Sequence, residues 1–412
     1  KTVRSALTQM RPGHDGGLSR RELARIKKEL KKGRHELNTE VIDAYIRRFH
    51  LEGVEPLYTA ADADRALAAF EGIPYRHPVA IGTGLTCTLF EAGHILGSAI
   101  AMIRWDDGSS VRTVCYSGDI GRYDKPILKD PASQFNGFGR DVDLMVMEST
   151  YGNRDHAPVV DLRPHLKKVL NETFDQGGTV LIPAFAFGRT QELLYVIHEL
   201  YDAGEVPAMP VYVDSPLATN ITTVFGEHPE AYDQETHATF LQQGKNPFAF
   251  RQVQFTASVD ASMALMRETK PHIVISASGM CEAGRILHHL RYKIHDPRNT
   301  ILIVGYMAEH TLGRRILEQG TAYAAAGRAG RPPMVKILNK AYPLEAAVVK
   351  IGGFSAHGDR NEMVRFLKQS NLNIKQIAVV HGEQDQSLAF AERLEREGFA
   401  AGVPRVGDSL YI

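Results

Sequence analysis

The chain is poor in cysteine and has no cysteine pair. Cys87, Cys115 and Cys281 show no C-x-x-C spacing, so they read as buried, reduced thiols of a cytoplasmic protein. An excess of charge of either sign is also missing: 48 basic and 48 acidic residues leave a formal net charge of zero. Proteins that hold nucleic acid or membrane without regard to sequence usually carry a basic excess. Any nucleic-acid contact must therefore come from a local groove. No apolar run approaches the roughly 18 residues that a membrane span needs, and no signal peptide is visible. There is no internal repeat and no low-complexity tract. No G-x-S-x-G elbow, no phosphate-binding G-x-x-x-x-G-K-[ST] and no nucleotide-type G-x-G-x-x-G occurs. What remains is 412 residues, 43% hydrophobic and 23% charged, which is globular composition with length for two or three cores.

The first seventy or so residues read as helical. Ser19 and Glu22 form an S-x-x-E capping box, Leu23, Ile26 and Leu30 recur on one face, and Gly33 supplies a stop. The other face, with Arg20, Arg21, Arg25, Lys27, Lys28, Lys31 and Lys32, reads as solvated, a contact for a polyanion being the sharper alternative. A second helix is predicted over 59–70, with Ala60, Ala63 and Leu67 as its stripe. From Val79 the texture changes to short β-rich runs at 85–89, 100–105, 111–116 and 144–147, with turns at Asp107-Gly108 and Ser117-Gly118. From about Val160 to Pro343 strands at 179–182, 211–213, 273–275 and 301–304 alternate with helical patterns, which argues a parallel sheet with covering helices. Beyond Pro343 come β-runs at 347–351 and 377–380, with a helix over 360–369 between them.

The candidate catalytic groups share one position type, just after a β-run. Asp119 lies in Tyr-Ser-Gly-Asp-Ile-Gly, Glu148 begins Glu-Ser-Thr-Tyr-Gly, and His381 begins His-Gly-Glu. His357 lies in Gly-Gly-Phe-Ser-Ala-His-Gly-Asp, and His94 in Glu-Ala-Gly-His-Ile-Leu-Gly-Ser-Ala. Loops at strand ends are where functional residues collect on a rigid scaffold, and imidazole and carboxylate are the ligands that hydrolytic zinc prefers. Singly, each has a plainer reading: a histidine beside glycine is more often a turn residue, and Asp119 or Glu148 could cap a turn or helix. Ser355, His357 and Asp359 do not make a nucleophilic triad, because side chains two apart fan outward. His288 and His289 read as structural.

Together and in order, these segments resemble the β-CASP nucleases of the metallo-β-lactamase superfamily, and specifically their RNA-processing branch. Further matches are Ile-Pro-Ala-Phe-Ala-Phe-Gly-Arg-Thr-Gln-Glu from Ile182, Asp-Ser-Pro-Leu-Ala from Asp214, Ser-Ala-Ser-Gly-Met from Ser276 and Gly-Tyr-Met-Ala-Glu from Gly305. The resemblance implies an α/β fold: a metallo-β-lactamase αββα sandwich, incomplete at its N-terminus, from residues 1–159 and 344–412, with an inserted α/β/α β-CASP domain over 160–343. It implies two zinc ions about 3.5–4 Å apart that activate a water for in-line attack on phosphorus. His94 corresponds to a ligand of one zinc, Asp119 to the carboxylate bridging both, and His381 to a ligand of the second. His357, steered by Glu148, corresponds to the general acid; these two and Asp119 make the catalytic set. Ser278 and Gly279, expected to open a helix, and Ser355 are candidate contacts for a substrate phosphate.

The resemblance departs in one place. The H-x-H-x-D-H signature, which supplies further ligands, occurs at none of the 17 histidines; Gly13-His14-Asp15 lacks the spacing. The chain also begins at Lys1 and not at methionine. The expectation is a fragment of an active enzyme that by itself binds zinc weakly and hydrolyses little. A smaller departure is His310, where related sequences tend to have glycine. The expected substrate is single-stranded RNA, because Glu148 and His381 match the RNA branch. A DNA nuclease of the crosslink-repair type is the alternative, and a non-catalytic RNA-binding paralogue is a third reading. A homodimer is kept open as a partner state, and no membrane partner is expected.

Overall fold

A computed structural model describes residues 57–412, except 138, 139, 157, 160 and 161, together with residues 29, 38, 40, 41, 44 and 47. The basic helix read from Ser19 lies outside the described residues apart from Glu29, as does the Gly13-His14-Asp15 remnant. The chain divides into two compact units, Lys1–Gly72 and Ile73–Ile412. In the first unit the second predicted helix forms at Ala60–Leu67. Thr59 caps it: its hydroxyl accepts from the Asp62 amide while the Asp62 carboxylate accepts from the Thr59 amide.

In the second unit the described residues build two large sheets. The first has seven strands, in the spatial order Val79–Gly82, Leu85–Glu91, Ala99–Asp106, Val111–Tyr116, Leu144–Glu148, Ile377–Val380 and Ala401–Gly402. Strict alternation decides which face is buried. Phe90, Ile100, Met102, Cys115, Met145, Met147 and Val379 point into one core. Two helices close that core. Arg360–Gln369 contributes Met363, Phe366 and Leu367, and Gln384–Arg396 contributes Phe390 and Leu394. Each such fully buried side chain contributes about 1.5–3 kcal/mol by leaving water. The first of these helices starts sharply because Asp359 caps it and Glu362 reaches back to the Asp359 amide.

The second sheet has six strands, ordered Ala347–Lys350, Thr300–Ile303, Val180–Pro183, Ile273–Ser276, Val211–Val213 and Val253–Phe255. Every neighbouring pair is parallel. The three strands second to fourth in that order are buried along their whole length, as a sheet covered on both faces requires. Successive residues feed different cores: Ile182, Ile275 and Leu302 join one, and Leu181, Val274 and Ile301 the other.

The strand just past the boundary read at residue 343 joins the second sheet. The inserted domain was ended at residue 343, yet strand Ala347–Lys350 pairs in parallel with Thr300–Ile303, from Thr300↔Ala347 to Ile303↔Lys350. The chain leaves the second sheet only after Lys350. Ser278 and Gly279 also do not open a helix. The next helix is Ile286–Lys293, and the Ser278 amide donates to the Ala283 carbonyl at 3.1 Å. His310, the position where glycine was expected, has φ +65°, in the left-handed region that favours glycine. No helix among the described residues is long and apolar enough to cross a membrane.

Candidate metal centre

Strand direction explains why the candidate residues meet. Leu144–Glu148 runs parallel to both Val111–Tyr116 and Ile377–Val380. Leu85–Glu91 acquires the same direction through the antiparallel strand Ala99–Asp106 beside it. Four carboxyl ends therefore share one sheet edge, and His94, Asp119, Glu148 and His381 stand on or just beyond them. His357 arrives from elsewhere, on the crossing between the two sheets. That crossing is pinned to the Asp119 loop by hydrogen bonds from the Gly358 amide to the Ile120 carbonyl at 2.8 Å and from the Arg122 amide to the Ala356 carbonyl at 3.3 Å.

The motif residues around each candidate hold its loop. The Ser98 hydroxyl accepts from the amides of His94 and Ile95 at 3.1 and 3.2 Å. Ser149 Oγ donates to the Val380 carbonyl at 2.8 Å and Thr150 Oγ1 to the His381 carbonyl at 3.2 Å, so Glu-Ser-Thr anchors the loop of His-Gly-Glu. His381 itself sits at φ +53°, a conformation uncommon for a residue with a side chain and one that collects at functional sites. Gly121 permits the closest approach: a Cβ there would lie 1.9 Å from the Gly93 carbonyl oxygen, next to His94. Gly121→Ala must push the His94 and Asp119 loops apart. The expected result is a loss of about 1–3 kcal/mol of stability and weaker zinc binding. Thermal denaturation with and without zinc checks this, and an unchanged response to zinc would count against the geometry.

Ligand atoms of His94, Asp119 and His357 all lie within 4.8 Å of one another. Asp119 presents one oxygen to each of two histidines: Oδ2 is 3.8 Å from His94 Nε2, and Oδ1 is 3.4 Å from His381 Nε2. The first separation is too long for a hydrogen bond. Both are shorter than twice a zinc–nitrogen or zinc–oxygen bond of about 2.0–2.2 Å, so a common ion could join each pair. His94 Nδ1 is buried without a hydrogen-bond partner. Burial, and after it the neighbouring His357, push the His94 pKa down to about 4 although Asp119 and Glu148 oppose this. The ring is therefore neutral, which is the form that binds metal. The residues present fit a zinc ion.

His357 is also paired with Glu148. The buried Glu148 accepts from the Ile120 amide at 2.7 Å and from the Thr150 amide at 3.3 Å. Both its oxygens lie 3.1 Å from His357 Nδ1. Burial works against charge on both side chains, yet their contact outweighs it: the carboxyl pKa is lowered and the imidazole pKa is raised. With Nδ1 engaged, Nε2 is the ring atom free to act. Ser355 lines the adjoining cavity and donates from Oγ to the His357 carbonyl at 3.3 Å.

Sequence reading missed several neighbours. His156 stacks edge-on to Tyr151 and its Nε2 lies 3.2 Å from the His357 carbonyl. Lys125, Arg189 and Glu192 line a cavity of about 370 Å³ shared with His94 and His357. Arg189 and Glu192 stood within a matched motif without an assigned role; nothing in the sequence around Lys125 singled it out.

Histidine and carboxylate donors gather at one sheet edge, beside a cavity also lined by loops that follow strands of the second sheet, and this is the donor chemistry that metallohydrolases use. Two family descriptions match the chain: Beta-Casp domain over residues 190–316, and Zn-dependent metallo-hydrolase RNA specificity domain over residues 341–404. The ribonuclease TTHA0252 of Thermus thermophilus is 35% identical over 359 residues, which are 87% of this chain and 76% of that protein. Transcription termination factor FttA of Methanosarcina mazei is 30% identical over 348 residues, 84% of this chain and 52% of the factor. FttA of Methanocaldococcus jannaschii is 31% identical over 363 residues, 88% and 55% respectively. The chain thus spans about three quarters of the ribonuclease and about half of the archaeal factors. It belongs to the β-CASP family of metallo-β-lactamase-fold ribonucleases.

Proposed function

We propose that the protein is a zinc-dependent hydrolase that cuts phosphodiester bonds in single-stranded RNA. The observation that carries this reading is the placement of Asp119, with one carboxylate oxygen toward His94 and the other toward His381. A carboxylate shared in this way suits a two-zinc site. Bound zinc supplies Lewis acidity and lowers the pKa of water. Asp119, His94 and His381 would hold the metal. Glu148 fixes the His357 tautomer with the proton on Nδ1 in the neutral ring, and His357 Nε2 delivers a proton to the departing oxygen. The metal-binding domain then comprises residues 73–159 and 351–412, with 160–350 as the inserted domain. The cavity between their sheets also carries the rings of Tyr151, Phe185 and Tyr306, against which unpaired bases can stack.

RNA is favoured because the segment described as an RNA specificity domain, 341–404, contains both His357 and His381. The test is a matched pair of single-stranded RNA and DNA oligonucleotides, given to zinc-loaded protein expressed from its complete reading frame. RNA is expected to be cut at least about tenfold faster. Equal or faster cutting of DNA would replace the assignment with the repair-type nuclease.

A further inference from the structure

The cavity beside the metal centre has a second, cationic wall. Lys125 and Arg189 are both buried, and Glu192 accepts from each: Lys125 Nζ pairs with Oε1 and Arg189 Nη1 with Oε2. One carboxylate between two cations leaves one unit of positive charge unbalanced within the trio. Arg189 Nε is buried with no hydrogen-bond partner. Arg189 is also the first residue of the fourteen-residue helix Arg189–Asp202, whose N-cap, Gly188, supplies no side-chain hydrogen bond. The positive end of that helix meets the same cavity, since Phe187, Gly188, Arg189 and Glu192 all line it. Three independent features, the surplus buried charge, the unpaired Arg189 Nε and the open helix end, thus converge on one space. The Arg189 guanidinium also lies over the Phe354 ring, 5.2 Å from its centroid, but one carboxylate and one ring face do not balance two buried cations, so the arrangement favours an anion.

We propose that Lys125 and Arg189, spaced by Glu192, form a subsite for a backbone phosphate of the RNA strand adjacent to the phosphate being cut. The proposal rests on the nuclease reading above. His94 and His357 line the same cavity and serve the scissile group, and the Lys125 charge is felt at both rings, which puts the cationic pair within reach of the neighbouring phosphate. Phe185 and Tyr306, 43% and 39% exposed, line the same space, and aromatic rings there suit stacking by that nucleotide's base. Glu192 has a definite role: it keeps the two cations apart when no strand is bound, and it limits the subsite to one net charge, matching one phosphodiester.

The experiment measures equilibrium binding of a fluorescent oligoribonucleotide in chelator, so that no cutting occurs. Lys125→Met is expected to weaken binding about tenfold and to reduce the slope of log affinity against log salt by about one, with Lys125→Arg restoring most of both. A single uncharged methylphosphonate linkage is then walked along the strand. One position should weaken wild-type binding by a similar factor and have no further effect on Lys125→Met. Arg189→Gln read in the same way serves if Lys125→Met does not fold. An unchanged salt slope in a folded variant, or the absence of any sensitive position in the wild type, overturns the subsite and leaves a structural ion-pair cluster. Failure of the nuclease reading appears separately, as absence of RNA cutting with zinc.

Discussion

Replacing Asp119 with alanine is expected to abolish stable zinc binding and to lower RNA cleavage by about 10³-fold or more. The reason is geometric. Asp119 is the residue whose two oxygens face two different histidines, so its loss removes a donor from both sides of the centre at once. Metal ions contribute several kcal/mol to stabilising charge in hydrolytic transition states, and each 1.4 kcal/mol is a factor of ten in rate. Replacing His94 or His381 removes a donor from one side only, so either variant should keep more metal than Asp119→Ala. Metal analysis of the purified proteins, read beside turnover, checks the order. If Asp119→Ala retained the wild-type zinc content, the carboxylate would not be a bridging ligand.

The legible part of this fold was the part that depends on local pattern. Alternation along 85–89 and 111–116, with glycine turns behind them, marks strands whichever sheet they join. The position of Asp119, Glu148 and His381 just past three such runs follows from the same pattern. Sheet membership does not. Ala347–Lys350 reads as a strand in either setting, and only its parallel register with Thr300–Ile303 puts it in the second sheet. The segment after Ser276 misled for a physical reason. Ser278 Oγ accepts from the amides of Glu282 and Ala283, four and five residues on, at 3.1 and 3.2 Å, whereas a helix cap accepts from the second or third residue after it. Here those bonds close a loop, and the helix waits until Ile286. The Lys125, Glu192 and Arg189 cluster was illegible because it joins a loop of the first sheet's neighbourhood to a helix of the second. No local spacing encodes that meeting.

The His357 side chain poses the sharpest mechanistic choice, because the structure places it within 4.8 Å of His94 and Asp119 as well as on Glu148. As a general acid it should leave zinc content nearly intact when replaced by alanine, while turnover falls by about 10²–10⁴-fold. As a metal ligand it should take zinc with it. The hydrogen bonds favour the first outcome. Glu148 is buried, its oxygens take the Ile120 and Thr150 amides, and both face His357 Nδ1. That arrangement orients the ring and stabilises its charged form, and a charged imidazole donates protons but does not bind metal. Glu148→Gln supplies the companion measurement. It keeps the shape while removing the charge, and should lower turnover by about 10–100-fold with zinc retained. Because the two residues act as a unit, the double variant should be little slower than His357→Ala alone. Zinc lost from His357→Ala, together with full additivity in the double variant, would make His357 a ligand and leave the proton donor to be sought among the other residues lining the cavity.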